Sequence, residues 1–300
     1  MNILIMFNPN AGKQTGHAHA MRLEKALLKN QPSTVVTKQA SPSIEILNKF
    51  WAGYKGKDDC VVIIGGDGTI GPVVNAMIKN NVDIPIFCYG KGTANDFASY
   101  FKTNRGPRKA AKILLRAKTG PVDTLLVNND TYACNVACGG AFTNGVTRYH
   151  KKSKRLLGKL AYLIPALVKT FKLQNQRLRF TVDEGTFELD VFLFYVLNTT
   201  NVGGMKKACA PACINDGKLD LMCLKRCGLF GKMSIAFHQA FGKLHRCPCA
   251  HHIQGENFKI EYIDGDEIQH DFTVTDIDGN GGGPYPLNVK VGKKISVVRK

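Results

Sequence analysis

The sequence predicts two domains: an α/β domain over residues 1–122 on a doubly wound, largely parallel sheet, and an antiparallel β-sandwich over 123–288. Residues 289–300 read as a terminal strand able to return to the first domain. Three observations carry this. Strand-like and helix-like segments alternate through the first third. From about residue 120 the chain turns β-rich, with short polar turns. Two glycine loops each follow a strand and open a helix, the placement of ligand loops at the carboxyl edge of a parallel sheet.

The elements follow in order. NILIMF (2–7) is a strand, and a helical pattern with Met21, Leu23, Leu27 and Leu28 comes next. PSTVVTKQA (32–40) alternates as a second strand, and Ile44 to Trp51 suits a helix. CVVII (60–64) runs into GGDGT, GPVVNAMIKN (71–80) is helical, IPIFCY (84–89) is a fourth strand, and GKGTANDFASYF (90–101) is a loop opening into a helix. Beyond residue 120, segments such as QRLRFTVDEGTFELDVFLFYVLNTT and LNVKVGKKISVVRK read as strands, interrupted by helices near 149–172 and 229–243.

At 300 residues the chain can bury a large core, and no apolar run approaches the roughly 20 residues that span a bilayer. The N-terminus reads as a first strand rather than a signal peptide, so a cytoplasmic protein is expected. A formal charge of +18 calls for a polyanionic partner: nucleic acid, an anionic membrane or a phosphorylated ligand. No helix-turn-helix, zinc-finger or RNP-like pattern supports nucleic acid. The 10 cysteines are expected as free thiols; Cys247 and Cys249, near His245, His251 and His252, lack finger spacing and read as packed or surface thiols rather than a zinc site.

Glycine turns at strand ends let backbone N–H groups approach phosphate oxygens, and a helix N-terminus adds its dipole. Gly65, Gly66 and Gly68 meet that need, with Thr69 as helix cap. Asp67, set among glycines, is expected to have no partner within the chain and to take one from outside it, a divalent cation held with substrate phosphates. The alternative is a tight turn with Asp67 as an N-cap. Gly90 to Asp96 repeats the arrangement with a second acid. Neither a P-loop nor a dinucleotide fingerprint is present.

These two loops together resemble the diacylglycerol-kinase catalytic family of soluble bacterial lipid kinases, whose relatives include sphingosine and ceramide kinases. GGDGT (65–69) is followed by GTANDFA (92–98). NPNAGK (8–13) resembles the family's N-P-x-S-G segment with Ala11 for serine, GPVD (120–123) its inter-domain crossover, and KRLLGKLAY (154–162) its basic lipid-side helix. GGMKKACAPACINDGKLDL (203–221) resembles the loop ending in D-G-x-L-D. NAD kinases share GGDG and remain an alternative, but the other two motifs favour lipid kinases.

The resemblance implies an NAD-kinase/diacylglycerol-kinase-like fold and transfer of the ATP γ-phosphoryl group, with Mg2+, to a lipid hydroxyl, foremost diacylglycerol. It assigns the nucleotide site to Asn8, Lys13, Gly65, Gly66, Asp67, Gly68, Thr69, Gly92, Thr93 and Asn95, and metal contacts to Asp67 and Asp96. Asp123, Asp216 and Asp220 match acids linked to a second, structural metal or to water networks; Asp216 to Asp220 also reads as a plain β-turn. The family's base is the glutamate of D-G-E, where this chain has Asp278-Gly279-Asn280. An amide accepts no proton; Asn280 is left to orient the hydroxyl, with Asp278 or Asp276 as substitute base. A nucleotide- or lipid-binding pseudoenzyme is therefore a second reading. The segment 148–171, with Lys151, Lys152, Lys154, Arg155 and Lys159 before an apolar half, reads as an interfacial helix. A peripheral protein on the inner membrane face is expected; the sequence is compatible with a homodimer.

Overall fold

The computed structural model describes residues 1–9, 15–40, 43–56, 58–116, 118–140, 176–263, 273–274 and 286–299. The first sheet holds β1 (Asn2–Phe7), β2 (Val35–Ala40), β3 (Cys60–Gly65), β4 (Ile86–Gly90), β5 (Lys118–Val122) and a C-terminal strand, Ile295–Arg299. Their order is β2-β1-β3-β4, then the C-terminal strand, then β5; the first five are parallel and β5 is antiparallel to its neighbour. Helices α1 (Gly16–Asn30), α2 (Ile44–Ala52), α3 (Asp67–Lys79), α4 (Asp96–Tyr100) and α5 (Pro107–Arg116) connect them.

Both faces of this sheet are covered, which is why β3 is apolar throughout. Val61 and Ile63 pack with Leu47, Trp51, Val73 and Met77 on the α2/α3 side. Val62 and Ile64 pack with Leu23, Leu27, Ala110 and Leu114 on the α1/α5 side.

The second sheet is antiparallel and comprises β6 (Leu125–Val127), β7 (Thr131–Ala133), β8 (Val136–Gly140), β9 (Gln176–Val182), β10 (Gly185–Leu197), β11 (Leu219–Lys225), β12 (Ala250–Gly255), β13 (Asn257–Tyr262), β14 (Thr273–Val274) and β15 (Leu287–Val291). Strand β10 is long enough to pair β9 through its first half and both β8 and β11 through its second. Helix α6 (Leu229–Ala240) lies between β11 and β12. The chain returns to the first sheet as β16 (Ile295–Arg299).

The two sheets share packing. Val122, Cys134 and Ile214 lie in the same buried cluster as α2 and α3. Asn75 of α3 accepts from the Tyr132 N–H at 2.9 Å, and Lys79 pairs with exposed Asp130 at 2.9 Å. Sequence reading starts the third helix at Gly71; it starts at Asp67, with Gly66 as N-cap and Thr69 inside the first turn. Thr69 is therefore not the cap. Pro72 lies in the second turn, where it removes the N–H that would otherwise donate to the Gly68 carbonyl.

Candidate active site

Parallel pairing of β3 with β4, in register Gly65 to Gly90, sends both glycine loops off the sheet edge side by side. The Lys91 N–H donates to the Gly65 carbonyl at 2.7 Å. A Cβ on Gly92 would lie 2.4 Å from the Gly66 Cα and 3.0 Å from the Gly66 nitrogen. These two glycines thus permit backbone-to-backbone contact between the loops. Gly68 differs: it is exposed, and a Cβ there would meet nothing within 4 Å. Asn95 holds the second loop from a left-handed conformation (φ 53°), accepting from the Gly92 N–H at 2.6 Å and donating to the Gly92 carbonyl at 2.9 Å.

Asp67 has partners within the chain, contrary to the sequence expectation. Its two carboxylate oxygens accept the N–H groups of Asp96 at 3.0 Å and Phe97 at 3.1 Å, capping α4 from another helix. Asp96 in turn accepts the Gly204 N–H on both oxygens, at 3.0 and 3.1 Å, and its carbonyl accepts from Asn201 Nδ2 at 3.3 Å. Gly203 and Gly204 adopt left-handed φ of 58° and 83° in this turn. Asp67 thereby links the two glycine loops, and Asp96 links them to the second domain.

Burial pushes the Asp67 carboxyl up, opposed by the N–H groups of Asp96 and Phe97. Burial, then the neighbouring Asp67, pushes Asp96 up to about 7, opposed by the N–H groups of Gly204 and Gly203. Each acid keeps further lone pairs, and a cation would relieve the penalty on both charges. Hard oxygen donors beside an exposed glycine fit Mg2+. On the second loop, the Lys91 ammonium sits 4.1 Å from the Tyr89 ring centroid and donates to the Arg105 carbonyl at 3.1 Å. Burial lowers the Lys91 pKa, and burial followed by Lys91 and Arg22 lowers that of His19.

A pH prediction follows. Asp96 ionises near 3.8 when unfolded and near 7 when folded, so the folded state holds the extra proton. Its contribution to stability is complete below about 3.8 and is lost as pH rises to about 7. The melting temperature of the metal-free wild type minus that of Asp96→Asn should therefore fall across that window and be flat above it. A pH-independent difference would contradict the raised value.

Asp123 stands apart from this pair. Its side chain is fully buried; one oxygen accepts the Gly217 N–H at 2.8 Å and the other faces the Lys294 ammonium at 3.4 Å. Its backbone N–H reaches the Ile214 carbonyl at 2.8 Å, and Asn198 Nδ2 donates to its carbonyl, so it ties the crossover to the D-G-x-L-D loop. Asp216 is exposed and accepts the Lys218 N–H at 3.1 Å, the turn reading of that stretch. Asp220 is buried and pairs with His252 Nε2 at 2.6 Å, with Cys209 Sγ at 3.7 Å. Among the described residues, Cys209, Asp220 and His252 form the one group of three metal-type donors, and neither Asp123 nor Asp216 joins it.

All ten cysteines are free. Cys247 lies by Ser234 at 3.6 Å, while Cys249 is hydrogen-bonded with Cys227, so the Cys–His stretch is divided among separate contacts. The Asn8 N–H donates to the Ile64 carbonyl at 3.3 Å, placing Asn8 at the same sheet edge; Thr93 is exposed on the second loop. Lys13, Asp276, Asp278, Asn280, Lys151, Lys152, Lys154, Arg155 and Lys159 lie outside the described residues. Sequence reading missed Asn201, Gly203 and Gly204 as supports of Asp96. Two consecutive glycines after a buried strand were the available signal.

Comparison with known proteins bears on the family and the fold. Residues 2–127 match the model of the diacylglycerol kinase catalytic domain, and residues 137–298 that of the YegS C-terminal NAD kinase beta sandwich-like domain. A Bacillus subtilis (strain 168) protein named diacylglycerol kinase is 31% identical over 235 residues, 77% of this chain and 76% of the relative. A "Probable lipid kinase YegS-like" protein of Alcanivorax borkumensis is 30% identical over 165 residues, and the chain spans only 54% of its length. A solved structure described as a "putative diacylglycerol kinase" from Bacillus anthracis str. Sterne superposes with a TM-score of 0.79 at 18% identity, covering 100% of this chain and 95% of that one, and shares its fold.

Proposed function

The chain belongs to the diacylglycerol kinase catalytic domain family, and we propose that it transfers the γ-phosphoryl group of ATP to the hydroxyl of diacylglycerol or a closely similar lipid. The observation that carries this reading is the joined pair of glycine loops, with Asp96 buried and Asp67 half-buried at their junction and Gly68 open beside them. Phosphoryl transfer asks mainly for positioning and charge neutralisation, and this arrangement supplies both.

In this reading the first-loop N–H groups and the N-terminus of α3 hold phosphate oxygens. Lys91 adds positive charge from the second loop, and Arg22 adds it from α1. Asp67 and Asp96 hold a magnesium ion, which when bound neutralises phosphate charge. Both carboxylates are oriented by backbone N–H groups before any ligand arrives, so little reorganisation is left for the reaction. Gly203 and Gly204 carry the second domain's contact to Asp96, so lipid-side and nucleotide-side elements meet at one carboxylate. Segment 148–171 docks on the anionic membrane surface in this reading, and the protein assembles as a homodimer.

The test is transfer of labelled γ-phosphate from ATP into the organic phase, using diacylglycerol in anionic mixed micelles with magnesium. Wild type is run beside Asn280→Glu. If a base is missing at position 280, the glutamate variant should be faster by about 10²–10⁴-fold. Equal rates would mean that Asn280 or a nearby acid suffices. Absence of label with either would overturn the diacylglycerol reading. Label only with the variant would identify wild type as a binding protein on a kinase scaffold, which Asn280 specifically favours.

A further inference from the structure

Helix α6 has no buried residue. Leu229, Phe230, Met233, Phe237 and Phe241 are 53%, 85%, 57%, 63% and 63% exposed. Positions 230, 233, 237 and 241 recur at helical spacing, so they form one stripe along the helix and onto its C-cap. The flanking side faces the protein: Ile235 packs on the cluster that holds Cys247, Ser234 lies against Cys247, and Gly231 against Cys227 and Cys249. A row of aromatic side chains turned to water is costly and marks an interaction surface.

The surroundings indicate what covers it. No acidic residue occurs between Asp220 and Glu256. Arg226 is exposed just before the helix, and Lys243 and Arg246 are exposed just after it. Exposed Lys206 and Lys207 adjoin the other end: Gln239 donates to the Lys206 carbonyl at 3.2 Å, and the Lys207 side chain lies against Gly242. Apolar rings flanked along the chain by cations and by no acid match an anionic bilayer, which accepts rings at the headgroup level and cations at its phosphates. The same loop also carries Gly203 and Gly204, which hold Asp96. The apolar face is thus joined, within a few residues, to the candidate site.

We propose that α6 is a membrane-docking element: it lies flat in an anionic lipid surface on its Phe230–Phe237–Phe241 face, with Lys206, Lys207 and Arg226 on headgroup phosphates. This orients the loop holding Asp96 toward the bilayer. The benefit to catalysis rests on the lipid-kinase reading above; the docking itself is read from the surface and stands without it.

The test is flotation of the intact protein with vesicles of phosphatidylcholine alone and of phosphatidylcholine with phosphatidylglycerol. Wild type should float with the anionic vesicles. Phe230→Glu/Phe237→Glu should lose at least about tenfold in partitioning while keeping its melting temperature, since both positions are exposed. Phe230→Trp/Phe237→Trp should bind and show a blue-shifted emission on binding, against the constant signal of buried Trp51. Undiminished flotation of the Glu variant, or failure of wild type to float, overturns the proposal. So does a wild-type dimer that the Glu variant converts to monomer with flotation unchanged, because the face would then belong to a second copy. Flotation lost on the Glu substitutions but with no lipid ever phosphorylated would retire the kinase reading and leave the docking surface standing. Normal turnover of the Glu variant in detergent micelles, with turnover lost on vesicles, supports both.

Discussion

Asp67→Asn is expected to lower phosphoryl transfer by at least about 10³-fold while leaving the protein folded. The proposed metal contributes several kcal/mol of charge stabilisation, and about 1.4 kcal/mol corresponds to tenfold in rate. An amide has one oxygen and no charge, so cation affinity falls with the rate. Structurally the substitution is mild. The amide oxygen still accepts one of the two N–H groups, from Asp96 or Phe97, and a weakened cap costs about 1 kcal/mol. Loss of the neighbouring charge should also lower the Asp96 carboxyl, since Asp67 is the second cause of its elevation. Turnover in the lipid assay, melting temperature with and without magnesium, and the pH dependence of melting check these points separately. Near-normal turnover of Asp67→Asn would remove Asp67 from the reaction and with it the central feature of the proposed site.

The second large effect separates two glycines that look alike in sequence. Gly92→Ala must push the loops apart, because the new Cβ would lie 2.4 Å from a backbone atom of Gly66 that cannot step aside. Overpacking of this kind costs about 1–3 kcal/mol, read as a melting temperature lowered by several degrees in the free protein, with nucleotide binding lost as well. Gly68→Ala has nothing within 4 Å to meet and removes a flexible residue from a helix. In the free protein it should be neutral or stabilising by up to about 1 kcal/mol. If nucleotide phosphates approach the backbone at Gly68, the new methyl occupies their place, and the stabilisation of the protein by ATP with magnesium should shrink at least tenfold in apparent affinity. Thermal melting with and without ATP distinguishes the two variants. Full ATP stabilisation of Gly68→Ala would move the phosphates elsewhere.

The sequence by itself determined the layered first domain, because apolar β3 needs two covered faces and the strand–helix alternation permits only a parallel sheet. It determined that both glycine loops share one edge, since each follows a core strand, and that the chain turns antiparallel after the crossover. Motif resemblance added the reaction class. Local pattern could not reveal contacts between residues far apart in the chain. Asp67 caps a helix that begins 29 residues later, Asp96 is held by glycines 108 residues on, and buried Asp220 is paired with His252. The helix near 229–243 was legible, but its phenylalanine spacing reads equally as a core face. Only the packing of its flanking side against Cys227 and Cys247 leaves those rings in water. Periodicity reports which residues share a face; only tertiary structure decides what that face meets, because burial is a property of the whole chain.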